Sequence, residues 1–348
     1  MAEVPGIHAD RVTAFFRARV PGAADGPLRF ELIAGGRSNL TYRVHGADGR
    51  VWVLRRPPLG HVLPTAHDMA REHRVLAGLA GTDVPAPRPL ALCDDPTVND
   101  APFYVMTWCP GVVLHDELPP GFAETPADRR RIADALVDVL VRLHAVDVHA
   151  VGLDGLGRPD GYLARQVKRW AQQWEGNKTA ELPAIDALLA RLAAALPTSP
   201  PPTIVHGDYR LGNMALAPDD PGRVVAVFDW EMATLGDPLA DLGYTLIYWA
   251  EAGDPPSHGL MPALTAAPGF PSRADLLARY AAASGRDVEA VDFYQVLALT
   301  KLAVISEGIW KRHLLGKTIG DGGWRATEFL AERALAVADA SHDRRLRG

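Results

Sequence analysis

Three polar side chains at fixed spacing carry the strongest chemical signal in this sequence. Asp208 and Asn213 stand five residues apart in the string His206-Gly207-Asp208-Tyr209-Arg210-Leu211-Gly212-Asn213. Asp229 follows sixteen residues after Asn213, within Phe228-Asp229-Trp230. One carboxylate to accept a hydroxyl proton, with an amide and a second carboxylate to hold a cation, is the layout of phosphoryl transfer. Hard oxygen ligands of this kind suit Mg²⁺. The spacing has a physical reason. The first Asp must face a substrate while the Asn, at the far end of a short loop, turns back toward the metal. Asp208 alone reads equally well as a loop cap; its company singles it out.

The first third of the chain offers matching parts. Gly35-Gly36-Arg37-Ser38-Asn39 lies between two strand candidates. Its backbone N–H groups can approach phosphates because glycine has no Cβ. Arg55 ends the apolar run Val51-Trp52-Val53-Leu54, and Glu72 on the next helix is its candidate ion-pair partner. Alternation along the strand puts Arg55 with Val51 and Val53, and Arg56 on the other face. Met106-Thr107-Trp108-Cys109 precedes Pro110-Gly111, a natural hinge. There the Thr107 carbonyl and the Cys109 N–H are available to an adenine edge. Plainer readings exist for each part: a hairpin turn for the glycines, a solvated helix residue for Glu72, core packing for Met106 and Trp108.

These residues need elements to position them. Helical spacing predicts a helix over 9–20 and another over 67–80. Strands are expected at 28–33, 40–44, 51–55 and 103–108, forming a small, mostly antiparallel sheet with one inserted helix. Thr125-Pro126-Ala127-Asp128 is a capped helix start with Pro at the first helical position. Further helices are expected over 160–175, 183–195, 238–250, 273–284, 288–313 and 325–340. The short apolar runs 203–205 and 224–228 read as adjacent strands, each ending at a carboxylate.

Composition bounds the rest. The 348 residues are 48% hydrophobic and 22% charged, which gives a prior of about two domains. A net charge of -6 argues against a nucleic-acid or anionic-membrane partner, which would need a basic excess. Two cysteines without CxxC spacing suggest neither disulfides nor zinc. With no apolar leader or long apolar run, a cytoplasmic setting is expected.

Taken together, HGDYRLGN, FDW and GDPLADLG resemble the aminoglycoside phosphotransferase/choline-kinase-like family. The strings AGGRSNLTYRV, VLRRPP, LPTAHDMAREHRVL, VHGDYRLGNM and FDWEMATLGDPLADLGY resemble the branch whose kinase domains are fused to acyl-CoA dehydrogenases. The resemblance runs over about 28–250 and more loosely to about 340. It implies an α+β, bilobal protein-kinase-like fold, with a small antiparallel-sheet N-lobe over 1–109 and a larger, mainly helical C-lobe over 110–348. It implies Asp208 as catalytic base and Asn213 and Asp229 as Mg²⁺ ligands. Gly36, Ser38 and Asn39 would meet phosphates, Arg55 would bind the α/β-phosphates, and Glu72 would orient Arg55. Met106, Thr107 and Cys109 would flank the base, while His206, Asp237 and Asp241 would support the catalytic loop. Most of the family has Lys in place of Arg55; the dehydrogenase-linked branch resembles this chain in using Arg, which keeps the charge and grips phosphate bidentately.

The expected activity is ATP-dependent transfer to a small-molecule hydroxyl, with GTP as the alternative donor. The branch resemblance points to a hydroxyacyl or acyl-CoA-like acceptor; an aminoglycoside acceptor and a catalytically silent nucleotide-binding module are the alternatives. A protein kinase is disfavoured, since only fifteen residues separate Asn213 from Asp229 and no APE-like element closes an activation segment. Trp230, Tyr244, Trp249, Tyr294, Glu307 and Trp310 are candidates to line the acceptor pocket. Leu315-Gly316-Lys317-Thr318 imitates a phosphate loop but follows a helical pattern, so a helix cap is expected. The tail from Asp343 is expected to be a solvated end.

Overall fold

The computed structural model describes residues 4–23, 25–33, 39–59, 67–257, 259–316 and 325–348. The N-lobe opens with helix α1 (Ala9–Arg19), strands β1 (Arg29–Leu32), β2 (Leu40–His45) and β3 (Val51–Arg56), then helix α2 (Met69–Leu79). Strand β4 (Pro89–Cys93), the short helix α3 (Pro96–Asn99) and β5 (Phe103–Thr107) complete it. The five strands form one sheet in the order β1-β2-β3-β5-β4, antiparallel throughout. Strand alternation divides its side chains between two cores. Trp52 and Leu54 pack with Val12 and Phe16 of α1, while Val53 joins the larger core with Val75 and Leu76 of α2.

The C-lobe follows with β6 (Val112–Val113), then helices α4 (Pro126–His144), α5 (Tyr162–Asn177) and α6 (Pro183–Ala194). Pro126 starts α4 behind the Thr125 cap, which accepts from the Asp128 N–H. Strands β7 (Thr203–Val205), β8 (Met214–Ala217), β9 (Asp220–Val227) and β10 (Thr234–Gly236) surround the segment that carries Asp208, Asn213 and Asp229. Helices α7 (Leu239–Tyr248), α8 (Arg273–Ser284), α9 (Val291–Leu314), α10 (Thr327–Ala340) and α11 (Arg344–Arg347) complete the lobe. No helix among the described residues is long and apolar enough to cross a membrane.

Two expectations are corrected. The runs 203–205 and 224–228 do not pair: β7 pairs with β10, and β9 pairs with β8. The loop between them therefore leaves one small sheet and enters another, and the two are tied where the Phe228 carbonyl meets His206 Nε2 at 2.9 Å. The tail is a solvated end only in part: Arg344, Arg345, Arg347 and Gly348 are exposed. Asp343 caps α11, and Leu346 is 1% exposed, filling the core beside α6. As expected, Gly316 closes the end of α9 with φ +65° and an N–H bonded to the His313 carbonyl.

Candidate active site

A cleft of about 400 Å³ separates the lobes. β3 carries Arg55 to its roof. Register places Arg55 opposite Thr41 of β2 and Tyr104 of β5, and all three line the cleft. Arg56 points the other way; it is 5% exposed and bonds the carbonyls of Gly6, Pro57 and Asn99. Glu72 sits on the buried stripe of α2 with Met69, Val75, Leu76 and Leu79. Asp68 caps that helix by accepting from the Arg71 N–H at 2.9 Å.

Arg55 is the centre of an acid-rich cluster. Its Nε donates to Glu72 Oε2 at 3.1 Å, and a terminal nitrogen donates to Asp229 Oδ1 at 2.6 Å. The same nitrogen lies 3.6 Å from Glu231 Oε2. Burial, with Asp229 and Glu231 nearby, pushes Glu72 up to about 7 against the pull of Arg55. Burial alone would loosen the Arg55 proton; Glu72, Tyr104, Asp229 and Glu231 reverse that and fix it as a cation. Three carboxylates around one guanidinium leave a formal charge of -2 with Glu72 ionised and -1 while it holds its proton.

The C-lobe floor is built by Asp241, buried at the start of α7. Its carboxylate accepts from the His206 N–H at 2.7 Å and the Gly207 N–H at 2.8 Å. Burial would raise its pKa, but these donors and His144 hold it low. Gly207 has φ +86°, and a Cβ there would lie 3.0 Å from Met232 Cβ, so glycine is required. Asp237, just before the same helix, accepts from the Leu239 N–H at 3.0 Å and the Tyr294 hydroxyl at 2.8 Å; burial raises its pKa.

Asn213 Nδ2 donates to the Asp208 carbonyl at 2.8 Å and to Asp208 Oδ2 at 2.7 Å. Its amide oxygen is thereby left for another partner, and Asn213 lines the cleft with Asp229. Asp229 adopts φ +66° and ψ 59°, a conformation that costs a non-glycine residue on the order of 1–3 kcal/mol and clusters at functional sites. Two hard oxygen donors in a cluster with more acids than cations fit a divalent cation.

Met106, Thr107 and Cys109 all line the cleft. The Thr107 N–H bonds the Arg88 carbonyl at 2.9 Å, which fixes the end of β5. Gly36 and Ser38 lie outside the described residues. Asn39 is 1% exposed and uses its Nδ2 on Glu231 Oε2 at 2.9 Å; its Oδ1 is buried without a hydrogen-bond partner. The residue expected to meet phosphates thus links the N-lobe loop to the C-lobe.

The acceptor candidates separate. Trp230 lines the nucleotide cleft and packs 4.6 Å from the His206 ring. Trp249 borders a second, smaller recess beside Leu114, Leu264 and Tyr248. Tyr244 lies next to Asp208. Tyr294 is committed to Asp237, and Glu307 to Arg325 and Thr179. Trp310 stacks 5.3 Å from His313.

Sequence reading missed Glu231, although it stands two residues after Asp229. It also missed Arg210, whose Nε donates to Asp208 Oδ1 at 3.1 Å while its guanidinium covers the Tyr248 ring at 5.1 Å. Arg71, next to Glu72, bonds the carbonyls of Leu156, Glu231 and Ala233 and ties α2 to the C-lobe.

This fold and site define a bilobal, kinase-like phosphotransferase. Residues 29–294 match the phosphotransferase enzyme family, and the chain belongs to it. Acyl-CoA dehydrogenase family member 10 of Mus musculus is 35% identical over 338 residues, covering 95% of this chain and 31% of the relative. The chain spans between 31% and 41% of the length of the curated relatives it matches. A crystal structure from Ralstonia eutropha, provisionally assigned as an aminoglycoside phosphotransferase, is 35% identical with a TM-score of 0.82 and covers 96% of this chain and 99% of its own. The GDP complex of aminoglycoside 2'-phosphotransferase-IIIa shares the fold at 16% identity and a TM-score of 0.61, covering 94% of this chain and 98% of its own.

Proposed function

We propose that this chain is a small-molecule kinase that moves the γ-phosphoryl group of ATP to a substrate alcohol, with a hydroxylated acyl or acyl-CoA-like acceptor. The observation that carries the reading is the convergence of Arg55, Asn213 and Asp229 from three separate segments at one cleft, with Asp208 held beside it by Asn213. Asp208 orients the hydroxyl and takes its proton. Arg55 neutralises charge on the nucleotide phosphates, and Glu72 and Thr41 aim it. Asn213 and Asp229 would hold Mg²⁺, which supplies charge neutralisation and alignment of the phosphates when bound. Most of the catalysis is positioning and electrostatics. The GDP complex of a relative keeps GTP as an alternative donor, and two free cysteines accord with a cytoplasmic setting.

The recess next to the cleft bears on the acceptor. It shares His115, Arg210 and Gly212 with the nucleotide cleft, and its remaining wall is largely apolar. The acids that follow Trp249, Glu251 and Asp254, are both paired with Arg273. The recess holds about 20 Å³, room for one water, so an acceptor would have to widen it; its apolar wall with a cation at its mouth favours an acyl compound over a polycation. An aminoglycoside acceptor is the second reading, favoured by the relative from Ralstonia eutropha.

The test is a library of hydroxylated acyl compounds, their thioesters and aminoglycosides, with ATP and GTP, read by nucleotide consumption. An acyl hydroxyl consumed by wild type and not by Asp208→Asn supports the reading. Aminoglycoside turnover alone moves the acceptor to the second reading. Nucleotide binding with no transfer to any hydroxyl would make the chain a silent module.

A further inference from the structure

Behind the catalytic loop stands a lysine that the mechanism above leaves unused. Lys301 projects from α9, whose buried residues are mostly apolar. Its ammonium donates to the Gly207 carbonyl at 3.0 Å and sits 4.7 Å over the Tyr244 ring. The Gly207 N–H is already held by Asp241. The backbone just before Asp208 is therefore gripped on both sides, by α7 through its N–H and by α9 through its carbonyl. Gly207 has no side chain to brace it, and a Cβ there would crowd Met232. Tyr244 completes a second route, since it touches both Lys301 and Asp208.

The groups facing Lys301 come from three elements. The loop contributes Asp208; α7 contributes Asp241 and Tyr244; α5 contributes Arg169 and Tyr162. A cavity of about 50 Å³ opens beside the ammonium, enough for one or two waters to take its remaining donors. Burial pulls the lysine down to about 8, with Asp208 and Asp241 favouring the charge and Arg169 opposing it.

We infer that Lys301 is a positioning residue for phosphoryl transfer, its ammonium fixing the Gly207–Asp208 peptide so that the Asp208 carboxylate stays aligned with the acceptor hydroxyl. The inference rests on the kinase reading of the site. Losing the proton weakens a charge-assisted hydrogen bond, so turnover falls as pH rises through about 8. Stability moves the other way. An unfolded lysine keeps its proton to about 10.5, whereas this one releases it near 8 in the folded state. Between those values the unfolded chain binds more protons, so this group makes folding more favourable as pH rises. A purely structural lysine would not produce that opposition.

The experiment compares wild type, Lys301→Arg and Lys301→Met on an accepted substrate from about pH 6 to 10. Lysine-selective ¹³C NMR titrations of wild type and Asp208→Asn run beside it; the chain has five lysines to resolve. Lys301→Met is expected to lower kcat about tenfold or more, as for small misplacements of a reacting group, with nucleotide KM near wild type and no alkaline limb near pH 8. Lys301→Arg keeps kcat within a few-fold and moves that limb upward. The Lys301 titration shifts down in Asp208→Asn, where the attracting charge is gone. Wild-type kcat and an unmoved limb in both variants would overturn the proposal, as would a Lys301 titration near 10.5 that ignores Asp208→Asn. If Lys301→Met does not fold, the limb of Lys301→Arg and the NMR shift decide. A wild type that phosphorylates no hydroxyl sinks the kinase reading instead, and the titration still judges the coupling of Lys301 to Asp208.

Discussion

The two sides of the catalytic loop are electrostatic opposites. On the nucleotide side, Glu72, Asp229 and Glu231 surround the single guanidinium of Arg55. On the side proposed for the acceptor, Arg210 and Lys301 flank the carboxylate of Asp208, with Asp241 buried behind the loop, and Tyr244 and Tyr248 pack against the two cations. The first arrangement lacks positive charge and the second does not. A site short of positive charge is matched by a divalent cation carrying phosphates. On the proposed reading, a carboxylate already compensated by Arg210 is matched by an acceptor that brings no cation of its own.

Asp208 stands on the border, bonded to Asn213 on one side and Arg210 on the other, so removing its charge should have the largest effect. Asp208→Asn is expected to lower kcat roughly 10²–10⁴-fold, the range for a lost general base. Nucleotide Kd should stay within a few-fold, measured by calorimetry. A variant that still turns over near wild-type rate would end the assignment. Arg55→Met comes next, because it removes the guanidinium that stands between three acids. Breaking a buried ion pair costs about 3–5 kcal/mol, and Arg55 is only 12% exposed. Its Tm should drop, and millimolar Mg²⁺ should restore more of it than the same change gives wild type. Equal Mg²⁺ shifts in both proteins would break the charge argument.

The sequence made the nucleotide side legible and left most of the acceptor side hidden, and the reason is distance along the chain. Asp208 and Asn213 touch because five residues of loop bring them together. Arg55 and Glu72 could be paired in advance because strand alternation and the α2 stripe each point inward. Lys301 meets Gly207 across 94 residues, and on a helix that is apolar around much of its circumference no periodicity marks one lysine as special. Asn39 was legible as a cleft residue but not in its orientation, which is set by Glu231 in the other lobe. The pairing of β7 with β10 was missed for a related reason. Three-residue strands carry almost no pattern, so their partners are chosen by the surrounding helices.

Smaller effects sharpen the contrast. Burial pushes Glu72 up to about 7 from an unfolded value of 4.5. The sign follows from proton binding: between those values the folded chain holds a proton that the unfolded chain has lost. The stability from this group is full below pH 4.5 and is lost as pH rises through about 7. Glu72→Gln should flatten that part of the pH–stability curve, measured by urea midpoints from about pH 4.5 to 7.5. An unchanged slope would place the cost of the acid cluster on Asp229 and Glu231 instead. Tyr248→Leu tests the opposite face and should be the mildest. It removes the ring under Arg210, a cation–π contact worth about 0.5–2 kcal/mol. Acceptor KM should rise a few-fold to about tenfold while nucleotide KM stays put. If nucleotide KM moves instead, Arg210 belongs with Arg55 to the phosphate side, and the division drawn across Asp208 is in the wrong place.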